Sequence, residues 1–351
     1  MNPTTPIHST GIAPPASRRP YRIVRWIGRA LLVVLALLIG LAALGAIYEA
    51  IMAAGDGARY PAPGRLVDVG GYRLHLYCVG QGSPTVVLAS GAGGFSAEWS
   101  IVQPQIAATT RVCAFDRAGL GWSDPGPGPR TPAQIADELH TLLINAGESA
   151  PYLLVAHSAG GKHARLFAQR HPQDVAGIVL LDPRSEYIED HMTAQEADAE
   201  RAGAQQFHQM LMGMRAIGLL RLTWAALWPT VLPVTAKLPA DLRQTIGVLE
   251  SRTGDIATAE AENASAAMSN DQLRDVALGD LPLIVLGAGT SVEYTPHWRE
   301  SLAYQAGLST NSRLTIVAGS DHSIHWEAPA LVVDAVRQVV EAARTDQPLR
   351  P

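Results

Sequence analysis

Residues 151–161 read PYLLVAHSAGG, and the order of their properties sets the fold. Six residues from Pro151 to Ala156 are apolar and suit a buried strand. Five small or polar residues follow, and the stretch from Ala159 to Gln169 then has helical character. Ser158 therefore sits on a strand-to-helix turn. A serine hydroxyl is a weak nucleophile unless a base takes its proton and its oxygen stands clear of the backbone. A sharp turn of this kind exposes the hydroxyl and needs small neighbours, a role open to Ala156 and Gly160. A serine that merely caps the following helix would satisfy the same local pattern.

Outward from that turn, short apolar runs alternate with helical stretches from Leu66 onward, the pattern of a mostly parallel α/β sheet. Strands are expected at Leu66–Val69, Tyr72–Cys78, Thr85–Ser90, Arg111–Phe115, Pro151–Ala156, Gly177–Leu181, Leu281–Leu286 and Arg313–Val317. Helices are expected near Ala97–Ala108, Thr131–Ala146, Ala159–Gln169 and Ala328–Arg344, with Thr131 capping and Pro132 at the first helical position. Residues 184–275 interrupt the alternation with helical sequence and read as a cap over the sheet's C-terminal edge. There Met210, Met212, Met214, Trp224 and Trp228 either line an apolar pocket or form the cap's own core.

Two further clusters could serve Ser158. Gly91-Ala92-Gly93-Gly94 follows a strand, and its free amides could hold an oxyanion, although glycines also make ordinary tight turns. After the last strand come Asp321 and His322, with His325 three residues on; a histidine placed there can swing over the turn as general base.

These phrases, VDVGGYRLHLYCVGQGSPTVVLASGAGG, TRVCAFDRAGLGWSDPG, LLVAHSAGGKHARLFAQRHPQDVAGIVLLDP and GSDHSIHWEAP, stand in an order and spacing that resemble the α/β-hydrolase superfamily, especially its cap-bearing bacterial branch. The resemblance covers residues 66–345. It implies an eight-stranded sheet in spatial order 1-2-4-3-5-6-7-8 and a Ser, acid, His triad. Ser158 would be the nucleophile, His322 the base, Ala92 and Ala159 the oxyanion donors, and Asp116 a brace for its loop. The sequence departs from the family at Ser90, where many relatives have His. It departs again after strand seven, where GAGTSVEYTP has Thr290 in place of the usual aspartate. The acid is therefore expected to be Asp182, at the end of strand six, with Glu293 as the alternative. The family strand order also makes Cys78 and Cys113 neighbours, as a disulfide or as two buried thiols.

Ahead of this body, Ala30–Ile47 is an uncharged apolar run, as a helix roughly 27 Å long and close to the ~30 Å of a bilayer core. Arg18, Arg19, Arg22, Arg25 and Arg29 precede it, whereas Arg59 and Arg65 alone are basic in the next twenty residues. The positive-inside rule then keeps the N-terminus cytoplasmic and exports the rest. A signal peptide cleaved at Ala53-Ala54-Gly55 is the rival. The expected organisation is a basic tail (1–29), whose first twenty residues read as disordered, an anchor (30–50), a linker without secondary structure (51–65) and the α/β domain (66–345).

A net charge of −5 with no basic stripe argues against nucleic acid, and two cysteines with scattered histidines indicate no metal site or cofactor. The combined expectation is a membrane-anchored serine hydrolase of small esters, amides being the harder substrate. Aspartate-nucleophile chemistry is disfavoured by Ser158. A non-catalytic, anchored ligand-binding module of the same fold is the alternative.

Overall fold

The computed structural model describes residue 11, residues 19–224, 235–236 and 238–349. Most of the Pro-, Ser- and Thr-rich tail lies outside these, as do Trp228, Pro229 and Pro233.

Eight strands form one sheet: β1 (Arg65–Asp68), β2 (Arg73–Val79), β3 (Thr85–Ala89), β4 (Val112–Phe115), β5 (Tyr152–His157), β6 (Val175–Leu181), β7 (Leu283–Ala288) and β8 (Ser312–Val317). Their spatial order is β1-β2-β4-β3-β5-β6-β7-β8. The pairs β1–β2 and β2–β4 are antiparallel and every later pair is parallel. Parallel strands are covered on both faces, so their residues alternate between two cores rather than between core and water. Val87, Leu154 and Ala156 face one core, Val86, Leu153 and Val155 the other.

Helices α2 (Gln103–Ala107) and α3 (Pro132–Asn145) follow the oxyanion-type turn and β4, and α4 (Gly160–Arg170) follows β5. Thr131 does cap α3, its side chain accepting from the Gln134 amide. Between β6 and β7 lies the helical insertion: α5 (Glu186–His191), α6 (Ala194–Ala216), a helical stretch over 219–224, α7 (Ala240–Glu250), α8 (Thr253–Ser265) and α9 (Asn270–Arg274). Met212, Met214 and Trp224 pack with Leu220 and Ile256 inside this cap, while Met210 is exposed. The cap's own core has claimed them, because an insertion of this size must bury an apolar interior of its own to be stable.

Beyond β7, residues 289–294 form α10 (Gly289–Tyr294) where the sequence reads as a loop, followed by α11 (Trp298–Ala306), α12 (Ile324–Glu327) and α13 (Pro329–Thr345). The N-terminal helix α1 runs Arg19–Arg59 without a break. It therefore replaces most of the expected linker with helix. Ion pairs from the cap to Glu49 and Asp56 hold that extension in place. Across β2 and β4 the register sets Cys78 against Cys113, and the two are joined in a disulfide.

Candidate active site

The C-terminal ends of the parallel strands are where an open α/β sheet presents its loops to a ligand. Ser158 occupies the turn from β5 into α4 with φ 52°. An L-residue enters this left-handed region at a cost, so the surroundings must hold it there. They do: the Ser158 amide donates to Leu181 O at 3.0 Å, and its carbonyl accepts from the amides of Gly161 and Arg184 at 3.0 and 3.1 Å. Gly160 is needed for the tight packing, because a Cβ there would lie 2.7 Å from Ala89 O and 2.8 Å from Ser90 O. The side chain is left half-buried, open to a ligand.

Asp182 ends β6, also with positive φ (42°), and is fully buried. Its Oδ1 accepts from the Ala288 amide at 2.8 Å and from Trp298 Nε1 at 2.7 Å; its Oδ2 accepts from Ser291 Oγ and, at 2.6 Å, pairs with His322 Nδ1. A buried carboxylate is tolerated only when its oxygens are satisfied, and here both are. An ionised carboxylate accepts only, so the proton between them belongs to His322 Nδ1. His322 Nε2 is thereby left as the basic nitrogen. Among the described residues no hydrogen bond joins it to Ser158. Loose geometry between nucleophile and base is ordinary without a bound substrate.

Glu293 lies on α10, exposed, and among the described residues no hydrogen bond or ion pair joins it to His322, which pairs with Asp182. The segment after β7 thus supplies Ser291 and Trp298 as donors to Asp182, and not the carboxylate that pairs with His322. His325 does not reach Asp182; it is buried against Trp99 and His157 at centroid distances of 4.9 and 4.7 Å. Burial, then the neighbouring His322, drives its pKa down to about 3. Burial also pushes His157 well below the usual range. His157 Nε2 donates to the His322 carbonyl at 3.0 Å and so ties the His322 loop to the strand that leads to Ser158.

Residues 91–94 form a β-turn closed by Gly94 N to Gly91 O at 3.1 Å. Among the described residues neither the Ala92 amide in this turn nor the Ala159 amide after Ser158 has an acceptor. Both remain available to an oxyanion. Arg117, missed in the sequence, grips the carbonyls of Ser90 and Gly91 at 2.8 and 2.7 Å and pairs with Glu262 of the cap at 2.7 Å. Its partner is 145 residues away in sequence, so no local signal marked it. Asp116 braces its loop as the resemblance implies, accepting from the amides of Ser96 and Trp122 and pairing with His75.

Beneath the oxyanion turn, Glu98 is buried and its pKa is pushed up to about 7 by that burial, against the pull of Arg117. Among the described residues, Glu98, His157 and His325 bring ligand-type atoms within 4.8 Å of one another, as do His140, His171 and Asp174 elsewhere. Cys78 and Cys113 meet Glu148 in the same way, but their sulfurs are already bonded to each other.

Residues 84–342 match the family described as alpha/beta hydrolase fold. The chain belongs to that family. The probable transporter efuK of Hormonema carpetanum is 34% identical over 139 residues, 37% of this chain and 20% of that protein. The uncharacterized protein YqjL of Bacillus subtilis is 26% identical, over 75% of this chain and 86% of that one. The match spans only 20%, 31% and 37% of the first three curated relatives' own lengths. Among solved structures, a thermophilic esterase from Thermogutta terrifontis superposes with a TM-score of 0.60 at 21% identity, over 80% of this chain and 98% of that one. These structural likenesses bear on the fold of this α/β-hydrolase family member, not on its substrate.

Proposed function

We propose that this α/β-hydrolase family member is a serine hydrolase of carboxylic esters, anchored in a membrane by α1 with its folded body on the exported side. The observation that carries the reading is the buried Asp182 carboxylate 2.6 Å from His322 Nδ1, at the strand ends beside a serine with φ 52°. In this reading Ser158 Oγ attacks the ester carbonyl while His322 Nε2 takes its proton. Asp182 stays ionised and stabilises the imidazolium. The amides of Ala92 and Ala159 receive the oxyanion, each such donor being worth about 3–4 kcal/mol in the transition state. His322 returns the proton to the departing alcohol. Water, activated by the same nitrogen, then clears the acyl group from Ser158.

Ester is preferred to amide because an ester carbonyl is less stabilised by resonance than an amide carbonyl and its leaving group departs without prior protonation of a nitrogen. The test is a fluorophosphonate probe followed by a graded series of chromogenic esters. Covalent labelling of Ser158, lost together with hydrolysis in a folded Ser158→Ala protein, is the expected result. A wild-type protein that takes no label while still binding ester-like ligands would make it a binding module instead. The membrane part rests on α1, exposed along its apolar length with mean hydropathy 2.9 over its best 18-residue window, and on the arginines before it.

A further inference from the structure

Helix α1 does not leave its apolar segment before meeting the body. Gly45, two residues inside the end of the uncharged run, touches the turn that follows α6. A Cβ on Gly45 would lie 2.0 Å from Ile217 O, and one on Gly218 would lie 2.3 Å from Gly45 O. The two backbones are in direct contact. Just beyond, Arg221 Nε donates to Glu49 at 2.8 Å and its NH2 to Asp56 at 2.7 Å, while Arg215 reaches Glu49 at 2.9 Å. Glu49 and Asp56 are seven residues apart, two turns on one face of α1. The charges of this part of the cap are thereby turned inward onto the helix.

What faces outward at the same level is apolar. Ile217, Leu219 and Leu222 are 41%, 40% and 60% exposed, and Phe207 and Met210 extend the patch along α6. On α1 the neighbouring Leu44 and Ile47 are likewise exposed. Large apolar side chains left exposed on one segment call for an occupant. The patch is continuous with the helix surface that a bilayer would cover, and Gly45 is only about 3 Å along the axis from the end of the apolar run. We propose that the cap edge formed by Phe207, Met210, Ile217, Leu219 and Leu222 is seated in the lipid–water boundary of the bilayer that α1 crosses, on the side of the folded body. This rests on the reading of α1 as a membrane span. The seating fixes how the cap, and the site beneath it, stand relative to the lipid.

The chain's two cysteines are bonded to each other, so an added cysteine is a unique thiol. The full chain would carry a fluorescent label at Leu219→Cys or Leu222→Cys, in phosphatidylcholine vesicles containing lipids spin-labelled near the headgroup. Leu37→Cys, in mid-span, and Ile144→Cys, exposed at the end of α3, serve as references, the former with a deep spin label. The labels at 219 and 222 should lose as much fluorescence as a boundary probe does, and the one at 144 almost none. Quenching at 37 with none at 219 and 222 overturns the seating alone. A blue shift at 219 and 222 without lipid quenching also overturns it, since a second copy or another protein then covers the patch. No quenching at 37 overturns the anchor and the seating together.

Discussion

The assignment of the acid to Asp182 is the most specific part of the proposed function at the scale of single residues. Asp182 could be named as the candidate acid from the sequence because it follows an apolar strand next to the strand that leads to Ser158, while Thr290 leaves the usual position without a charge. The donors that hold Asp182 were not legible. Ser291 and Trp298 come into range only because the segment after β7 coils into α10 and α11, and nothing in GTSVEYTPHW announces that turn. Asp182→Asn keeps the shape and removes the charge that fixes the imidazole, so turnover should fall roughly 10³–10⁴-fold. Glu293→Gln should change it little, as its carboxylate faces solvent. Parallel ester kinetics on the two variants decide this, and the reverse pattern would move the acid to α10.

A second residue-scale consequence concerns pH. Burial raises Glu98 and Asp255 to about 7 and holds Glu250 well above its ordinary value. A carboxyl raised in the folded state binds more protons folded than unfolded between its two pKa values, so stability falls as pH rises through that window. For Glu98 the loss approaches about 3 kcal/mol. Glu186, by contrast, is buried but held low by Arg165, and its contribution is lost only in acid, below the ordinary carboxylate range. The buried His157 and His325, held below their ordinary values, contribute in the opposite sense over part of this range. The test is therefore a difference: between pH 5 and pH 8 the melting temperature of Glu98→Gln should gain on that of the wild type. A difference between Glu98→Gln and wild type that stays constant across this range would contradict the burial argument for Glu98.

Among the elements, all eight strands were readable: the central parallel ones because buried strands are short apolar runs with sharp polar boundaries, and β1 and β2 because Gly70-Gly71 marks a hairpin between them. Their spatial order came from the family resemblance, not from the residues themselves. Helix α11 was not readable: WRESLAYQA has too few apolar residues to show a period, and it starts after His297, a left-handed residue that no local signal marks. The continuation of α1 past residue 50 was hidden by Gly55 and Gly57, which lower helix propensity. Packing against the cap outweighs that cost. The disulfide ties the antiparallel start of the sheet to β4 and closes a span of 35 residues. In the chain-entropy model this contributes roughly 3–4 kcal/mol. Alkylation without reductant should add no mass, and the reduced protein should unfold at distinctly lower denaturant concentration. Two equivalents of alkylating agent taken up by the unreduced, unfolded chain would show free thiols.

For the whole molecule, the arrangement of α1 bears on whether the leader is removed and which side the body faces. Cleavage after Ala54 would discard Glu49, the carboxylate shared by Arg215 and Arg221, and the Gly45–Gly218 contact with it. Such a cut would remove most of the ion pairs and the backbone contact that join α1 to the base of the cap, leaving Asp56 to pair with Arg221. The helix also passes unbroken through the candidate cleavage site. The mature protein should therefore retain its N-terminus, and mass spectrometry of the membrane-extracted chain should find peptides from residues before Ala30. In the proposed topology the basic residues concentrated before the span keep that end in the cytoplasm, and the disulfide fits a body on the oxidising side of the membrane. Protease added to spheroplasts should digest the α/β domain while sparing an epitope tag on residue 1. A protected domain with a digested tag would invert the orientation, and loss of the tag from the mature chain would mean that α1 is cut after all.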